Sequence, residues 1–242
     1  MAIIDLANPH RFLALARWIV PGFAVLALLL LTFGFTLGIR APADYQQGET
    51  VRIMFIHVPS AWLALGIYTL MAIAALGTLV WRHPLADVAA KTAAPIGAAF
   101  SLICLVTGAL WGRPMWGAYW VWDARLTSML VLFLLYLGIL ALWRAIDDPG
   151  QAGRVVAVLT LVGFVNVPIV KFSVDWWNTL HQPASVFRLD GPAIHPAILT
   201  PLLISAAGFA ALFVALHVAA MRNEILRRRV RTLRLLVAAE AR

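Results

Sequence analysis

The chain has 242 residues, 62% of them apolar and only 12% charged, where a soluble domain averages roughly 45–50% apolar and about 25% charged. With a mean hydropathy of +0.88 and a single cysteine, Cys104, the composition excludes a water-soluble enzyme, an internal disulfide, a CxxC redox pair and a CxxCH haem-attachment site. A net charge of +8 on a chain this apolar reads as membrane topology and not as nucleic-acid binding.

Six stretches are free of Asp, Glu, Lys and Arg: Trp18 to Ile39, Ile53 to Trp81, Thr92 to Gly112, Leu126 to Trp143, Val155 to Val170 and Gly191 to Met221. Crossing a ~30 Å hydrocarbon core takes about 20 apolar residues, so the sequence predicts six transmembrane helices, about 18–39, 53–81, 92–112, 126–143, 155–174 and 195–221. The fifth gap has 16 residues and reaches a full span because Lys171 can snorkel. The first gap, at 22 residues, exceeds a signal-peptide core of ~7–15 and is read as a retained helix. The expected fold is therefore an all-α integral membrane protein of one domain, 1–242, with no separate soluble unit.

Counting Lys and Arg by connection puts 13 on the side of both termini and 6 on the other, which assigns both termini to the cytoplasm. The basic tail 222–242, with Arg227, Arg228, Arg229, Arg231 and Arg234, is expected to continue the last helix as a positive-inside anchor against anionic lipid.

On this topology the external segments hold the unusual residues. Between the third and fourth spans, Trp111, Trp116, Trp120 and Trp122 put four of ten tryptophans in 12 residues. An aromatic belt at the membrane boundary is one reading. The other is a ligand platform: if Met115 to Ala124 forms a short surface helix, Trp116, Tyr119, Trp120 and Asp123 fall on one face, with Trp122 turned to lipid or to the fourth span. Asp123 is placed to N-cap that span.

Of six histidines, His57, His181 and His195 lie on the outer half. Interfacial histidines beside an aromatic plate suit iron in a planar macrocycle, that is haem. Zinc fits less well, because no HxxxH, HExxH or cysteine set is present. From spacing, His57 can pair with either His181 or His195. His195 precedes Pro196 at the start of the last span, whereas a helical turn at His181 would set Trp177 beside it.

The segment Trp111 to Thr127 resembles the tryptophan-rich WWD signature of haem-handling proteins in cytochrome c biogenesis. With Ala43 to Gly48, Ile56 to Pro59 and Trp176 to His181, the chain up to about Arg229 is similar to one branch, the haem exporter protein C family. The resemblance implies a bacterial inner-membrane protein that binds haem b at the periplasmic face through His57 and His181, with the signature on Trp111, Trp116, Trp120, Trp122 and Asp123. It implies delivery to a periplasmic haem chaperone, and as companions an ATP-binding cassette transporter and a small single-helix membrane protein. On physical grounds the propionates are expected at external cations such as Arg52 and Arg125. With no catalytic triad, phosphate loop or acid pair, the chain reads as a binding and transfer protein and not an enzyme. Two rival readings are a b-type cytochrome carrying electrons and a small-molecule transporter. The first expects haem deep between helices. The second expects broken helices, for which Pro59, Pro95, Pro168 and Pro201 are the available sites.

Overall fold

The computed structural model describes residues 8–241. Residues 1–7 of the expected domain and Arg242, the last residue of the basic tail, lie outside the described residues. Seven helices follow in order: α1 (Pro9–Arg40), α2 (Met54–Val80), α3 (Ala86–Trp116), α4 (Ala124–Ala145), α5 (Pro149–Phe164), α6 (Asn166–Trp176) and α7 (Pro196–Glu240), with one 3-10 turn, Glu49–Ile53, leading into α2. Taking α5 with α6, six helical segments are long and apolar enough to cross a membrane, and among the described residues there is no strand. The all-helical, six-span architecture is that expected.

α1 and α5 begin ahead of their charge-free gaps because side-chain caps, and not hydropathy, set their starts. Asn8 accepts from the His10 N–H at 2.9 Å with Pro9 at the first position, so α1 begins nine residues before Trp18. Asp148 caps α5 in the same way, accepting from Gln151 N–H at 2.6 Å. The helices run unbroken through Pro59, Pro95 and Pro201. The fifth span does break, at Val165 between α5 and α6. Pro168 has no N–H for the carbonyl of residue 164, and Asn166 turns its side chain to the Ser128 carbonyl of α4 at 2.9 Å.

Close helix contacts rest on small residues. A Cβ on Gly34 of α1 would meet Ser205 of α7 at 2.7 Å, and one on Gly208 would meet Leu31 at 2.9 Å. Tyr68 and Tyr136 fill the core, Tyr136 donating to the Ala64 carbonyl at 2.7 Å. At the inner end Phe12 and Leu13 of α1 pack with Leu85, Val88, Met221 and Ile225. At the opposite end Gln46 and Gln47 of the α1–α2 connection, the α3–α4 connection and the α6–α7 connection converge on one cavity.

Candidate functional site

The cavity has a volume of about 450 Å³ and is walled by α2, α3, α4, α6 and the α6–α7 connection, within the range of pockets that enclose small-molecule ligands. His57 enters it from the second turn of α2 and His181 from the connection after α6. Their ring centroids are 6.3 Å apart and the planes are within 18° of parallel. Each imidazole has one indole wall: Trp111 stands edge-on to His57 at 5.6 Å, and Trp116 edge-on to His181 at 5.6 Å.

The two histidines are held differently. His57 is buried, and its Nδ1 lies 3.1 Å from both the Cys104 carbonyl and Thr107 Oγ1. A carbonyl only accepts, so Nδ1 carries a proton, and in the neutral ring the lone pair is then on Nε2. A metal-binding histidine is oriented in this manner. Gly108 makes the approach of α3 possible, since a Cβ there would come to 2.9 Å from His57 Cε1. His181 sits on irregular backbone, tied through the neighbouring Leu180 N–H, which donates to Asp123 Oδ2 at 3.3 Å. Burial first, then the positive charge of Arg125 and then His57, push the His181 pKa down to about 3, so the ring is neutral and its lone pair available.

The expected surface helix across Met115 to Ala124 is not formed, and this corrects the one-face arrangement. The third span continues to Trp116 and stops because Gly117 takes the left-handed conformation (φ 76°), its N–H returning to the Arg113 carbonyl at 3.1 Å. Trp116 and Trp120 line the cavity, whereas Tyr119 and Trp122 do not. Tyr119 is exposed under the Arg113 guanidinium, and Trp122 projects outward, 75% exposed, with its edge on Trp120. Asp123 also stays out of the cavity lining. It N-caps α4, accepting from Leu126 N–H at 2.8 Å, and its second oxygen holds the His181 connection. A second correction concerns Trp177: α6 ends at Trp176, no helical turn forms at His181, and the wall beside it is Trp116. Trp177 is half exposed and packs on Trp176.

Of the two expected cations, only Arg125 borders the cavity. Its Nε donates to Ser173 Oγ and its NH2 to the Lys171 carbonyl, both at 3.0 Å, which fixes the guanidinium against α6. Arg52 pairs with Glu49 and reaches toward the Ala41 carbonyl at 3.4 Å, away from the lining. His195 caps α7, its Nδ1 accepting from Ala197 N–H at 3.2 Å, and takes no part in the cavity. The indole N–H groups of Trp111 and Trp120 are buried without a partner. Unpaired buried donors at a cavity wall cost free energy unless a ligand supplies acceptors.

Thr107, Gly108, Ser173 and Trp62 are the contributors that sequence reasoning missed. Trp62 stands 5.0 Å from Phe187 of the α6–α7 connection. Each matters through a contact between segments far apart in the chain, for which the local sequence carries no signal.

The architecture defines a polytopic membrane protein with its binding cavity at one end of the bundle. A family model described as heme exporter protein C matches residues 2–236. A heme exporter protein C of Bradyrhizobium diazoefficiens is 64% identical over 239 residues, covering 99% of this chain and 91% of the relative. One of Escherichia coli is 49% identical over 223 residues (92% and 90%), and one of Paracoccus denitrificans 44% over 238 residues (96% and 97%). The chain belongs to the heme exporter protein C family, and its six spans fit a multi-pass protein of the bacterial inner membrane.

Proposed function

We propose that this protein binds haem b at the periplasmic end of the bundle, with His57 and His181 as axial ligands, and delivers it to a periplasmic haem chaperone. Membership of the family gives a role in haem export for cytochrome c biogenesis; the ligands, the haem type and the recipient are the finer reading. The observation that carries it is the facing histidine pair. Two metal–nitrogen bonds of about 2 Å set end to end would put the imidazole centres roughly 6 Å apart, and the rings stand at 6.3 Å. The rest of the lining agrees with a porphyrin: apolar wall, two indole N–H groups seeking acceptors, and Arg125 for a propionate.

The unequal anchoring of the two ligands suits transfer. His57 is oriented by two partners on a rigid helix, whereas His181 rides on irregular backbone. His181 is then the ligand that gives way when the recipient offers a histidine of its own, while His57 keeps the cargo in place. Energy for release comes from partners, for which an ATP-binding cassette transporter and a small single-helix membrane protein are the candidates. The chain acts as a haem-handling component and not as an enzyme.

The absorption spectrum of the detergent-purified protein tests this. Wild type should show a low-spin Soret band. His57→Ala and His181→Ala should each lose the six-coordinate form, and added imidazole should partly restore it. His195→Ala should leave it unchanged. A low-spin spectrum that survives His181→Ala and vanishes in His195→Ala would refute the ligand assignment.

A further inference from the structure

Beyond the membrane, α7 does something the haem site does not require. Its 45 residues make a rod of about 67 Å at ~1.5 Å per residue, against a hydrocarbon core of ~30 Å. The charge-free stretch ends at Met221, and the helix continues from Arg222 to Glu240 with no Gly or Pro after Gly208. Its exit direction is clamped. Buried Glu224 bonds Lys91 at 2.7 Å and Arg228 at 3.0 Å, and Arg228 also bonds Asp87 at 2.7 Å. Those ion pairs tie α7 to the first turns of α3 at the inner membrane boundary.

From the clamp onward the rod carries an apolar stripe. Leu226, Val230, Leu233 and Val237 follow at intervals of four, three and four, which is the spacing of d and a positions in a heptad, and all four are exposed, Leu233 at 61% and Val237 at 66%. The e and g positions beside them include Arg227, Arg229 and Arg234. In coiled coils these positions choose the partner by charge.

We propose that this projecting segment is a docking helix for a cytoplasmic protein that supplies an amphipathic helix with acidic residues flanking its apolar seam. Charge decides the occupant. Copies of this chain in one membrane run parallel, and pairing them would set Arg229 against Arg234 of the other copy, a like-charge juxtaposition that works against self-association. An anionic lipid surface also attracts arginine, but to lie on it the segment would have to bend away from the membrane-crossing part of the same helix, and α7 is unbroken through the clamp to Glu240.

The test uses the full chain in nanodiscs. A fluorescent helical peptide as long as the projecting segment, with Leu at a and d and Glu at e and g, should bind saturably in zwitterionic phosphatidylcholine discs. Binding should weaken about tenfold in Arg229→Glu/Arg234→Glu, while the haem spectrum of that variant, used as a fold check, stays unchanged. A peptide with Lys at e and g should show the reverse preference. Absence of binding would overturn the proposal. So would hydrogen-exchange protection of 226–240 that appears, without peptide, only when phosphatidylglycerol is present, since lipid would then be the occupant. Efficient disulfide formation between copies through Leu233→Cys would identify a second copy instead and equally overturn it.

Discussion

At the scale of single residues, the site depends on a neutral His181 and on the space Gly108 leaves for His57. The ordinary histidine value is 6.5 and that of folded His181 about 3. Below pH 6.5 the unfolded chain therefore takes up a proton that the folded chain refuses. Stability falls as pH drops from 6.5 toward 3, by up to about 1.4 kcal/mol per unit from this group, and the group has no effect above 6.5. The haem-free protein should lose more thermal stability between pH 7 and pH 5 than His181→Asn does; equal losses would show that the folded ring titrates normally. Gly108→Ala drives a methyl into His57 Cε1, an overpacking of about 1–3 kcal/mol if nothing yields. We expect reduced haem content or a high-spin spectrum at normal expression. Gly66→Ala, with no atom within 4 Å of its added Cβ, should match wild type. Identical spectra for the two variants would mean that α3 does not constrain His57.

Among the elements, the connections at helix ends do the positioning. Asp123 serves two of them at once, one carboxylate oxygen capping α4 and the other holding the His181 connection. An asparagine can cap with its carbonyl oxygen, but its NH₂ cannot accept from Leu180 N–H. Asp123→Asn should thus keep the melting temperature and loosen haem binding, whereas Asp123→Ala should lose both, at about 0.5–2 kcal/mol for the cap. Heat stability and haem occupancy measured on the same preparations separate the two roles, and parallel changes in both variants would reject the division. The break at Val165 has a similar consequence. Beyond it, α6 brings Ser173 and the Lys171 carbonyl to Arg125.

For the whole molecule, polarity runs from an outer end that holds the cavity to an inner end held by ion pairs. The outer end is apolar and aromatic around two neutral imidazoles; the inner end is laced with ion pairs centred on Glu224. Reporter fusions after Gly117 and after Asp148 should fall on opposite sides of the membrane, the first periplasmic and the second cytoplasmic. The same compartment for both would overturn the six-span topology. The rival readings fare differently against this layout. His57 and His181 meet at the end of the bundle and not deep between helices, as an electron-carrying b-type cytochrome would place them. Of the four prolines at which a transporter core would break, Pro59, Pro95 and Pro201 lie in unbroken helices, and only the span that carries Pro168 is interrupted, at Val165.

What the sequence by itself determined follows from terms that add along the chain. Hydropathy over 20-residue windows and the Lys and Arg count decide how many times the chain crosses and which way it faces, because lipid solvates each segment separately. The local cap at Asp123 was equally legible, whereas the caps at Asn8 and Asp148, which start α1 and α5 ahead of the charge-free gaps, were not read. The site was legible as a list of chemically suitable residues, with His181 favoured over His195 by the tryptophans that precede it and by the family resemblance. Tertiary structure decided which of them share the cavity. Gly117 ended α3 before the aromatic run could form one helical face, turning Tyr119 and Trp122 outward and leaving Trp116 and Trp120 inside. His195 was taken up as a cap, Arg52 was drawn to Glu49, and His181 was carried to His57 by a connection held from the far side by Asp123. Each outcome is a competition between partners distant in sequence, and such a competition is settled only when the helices have packed.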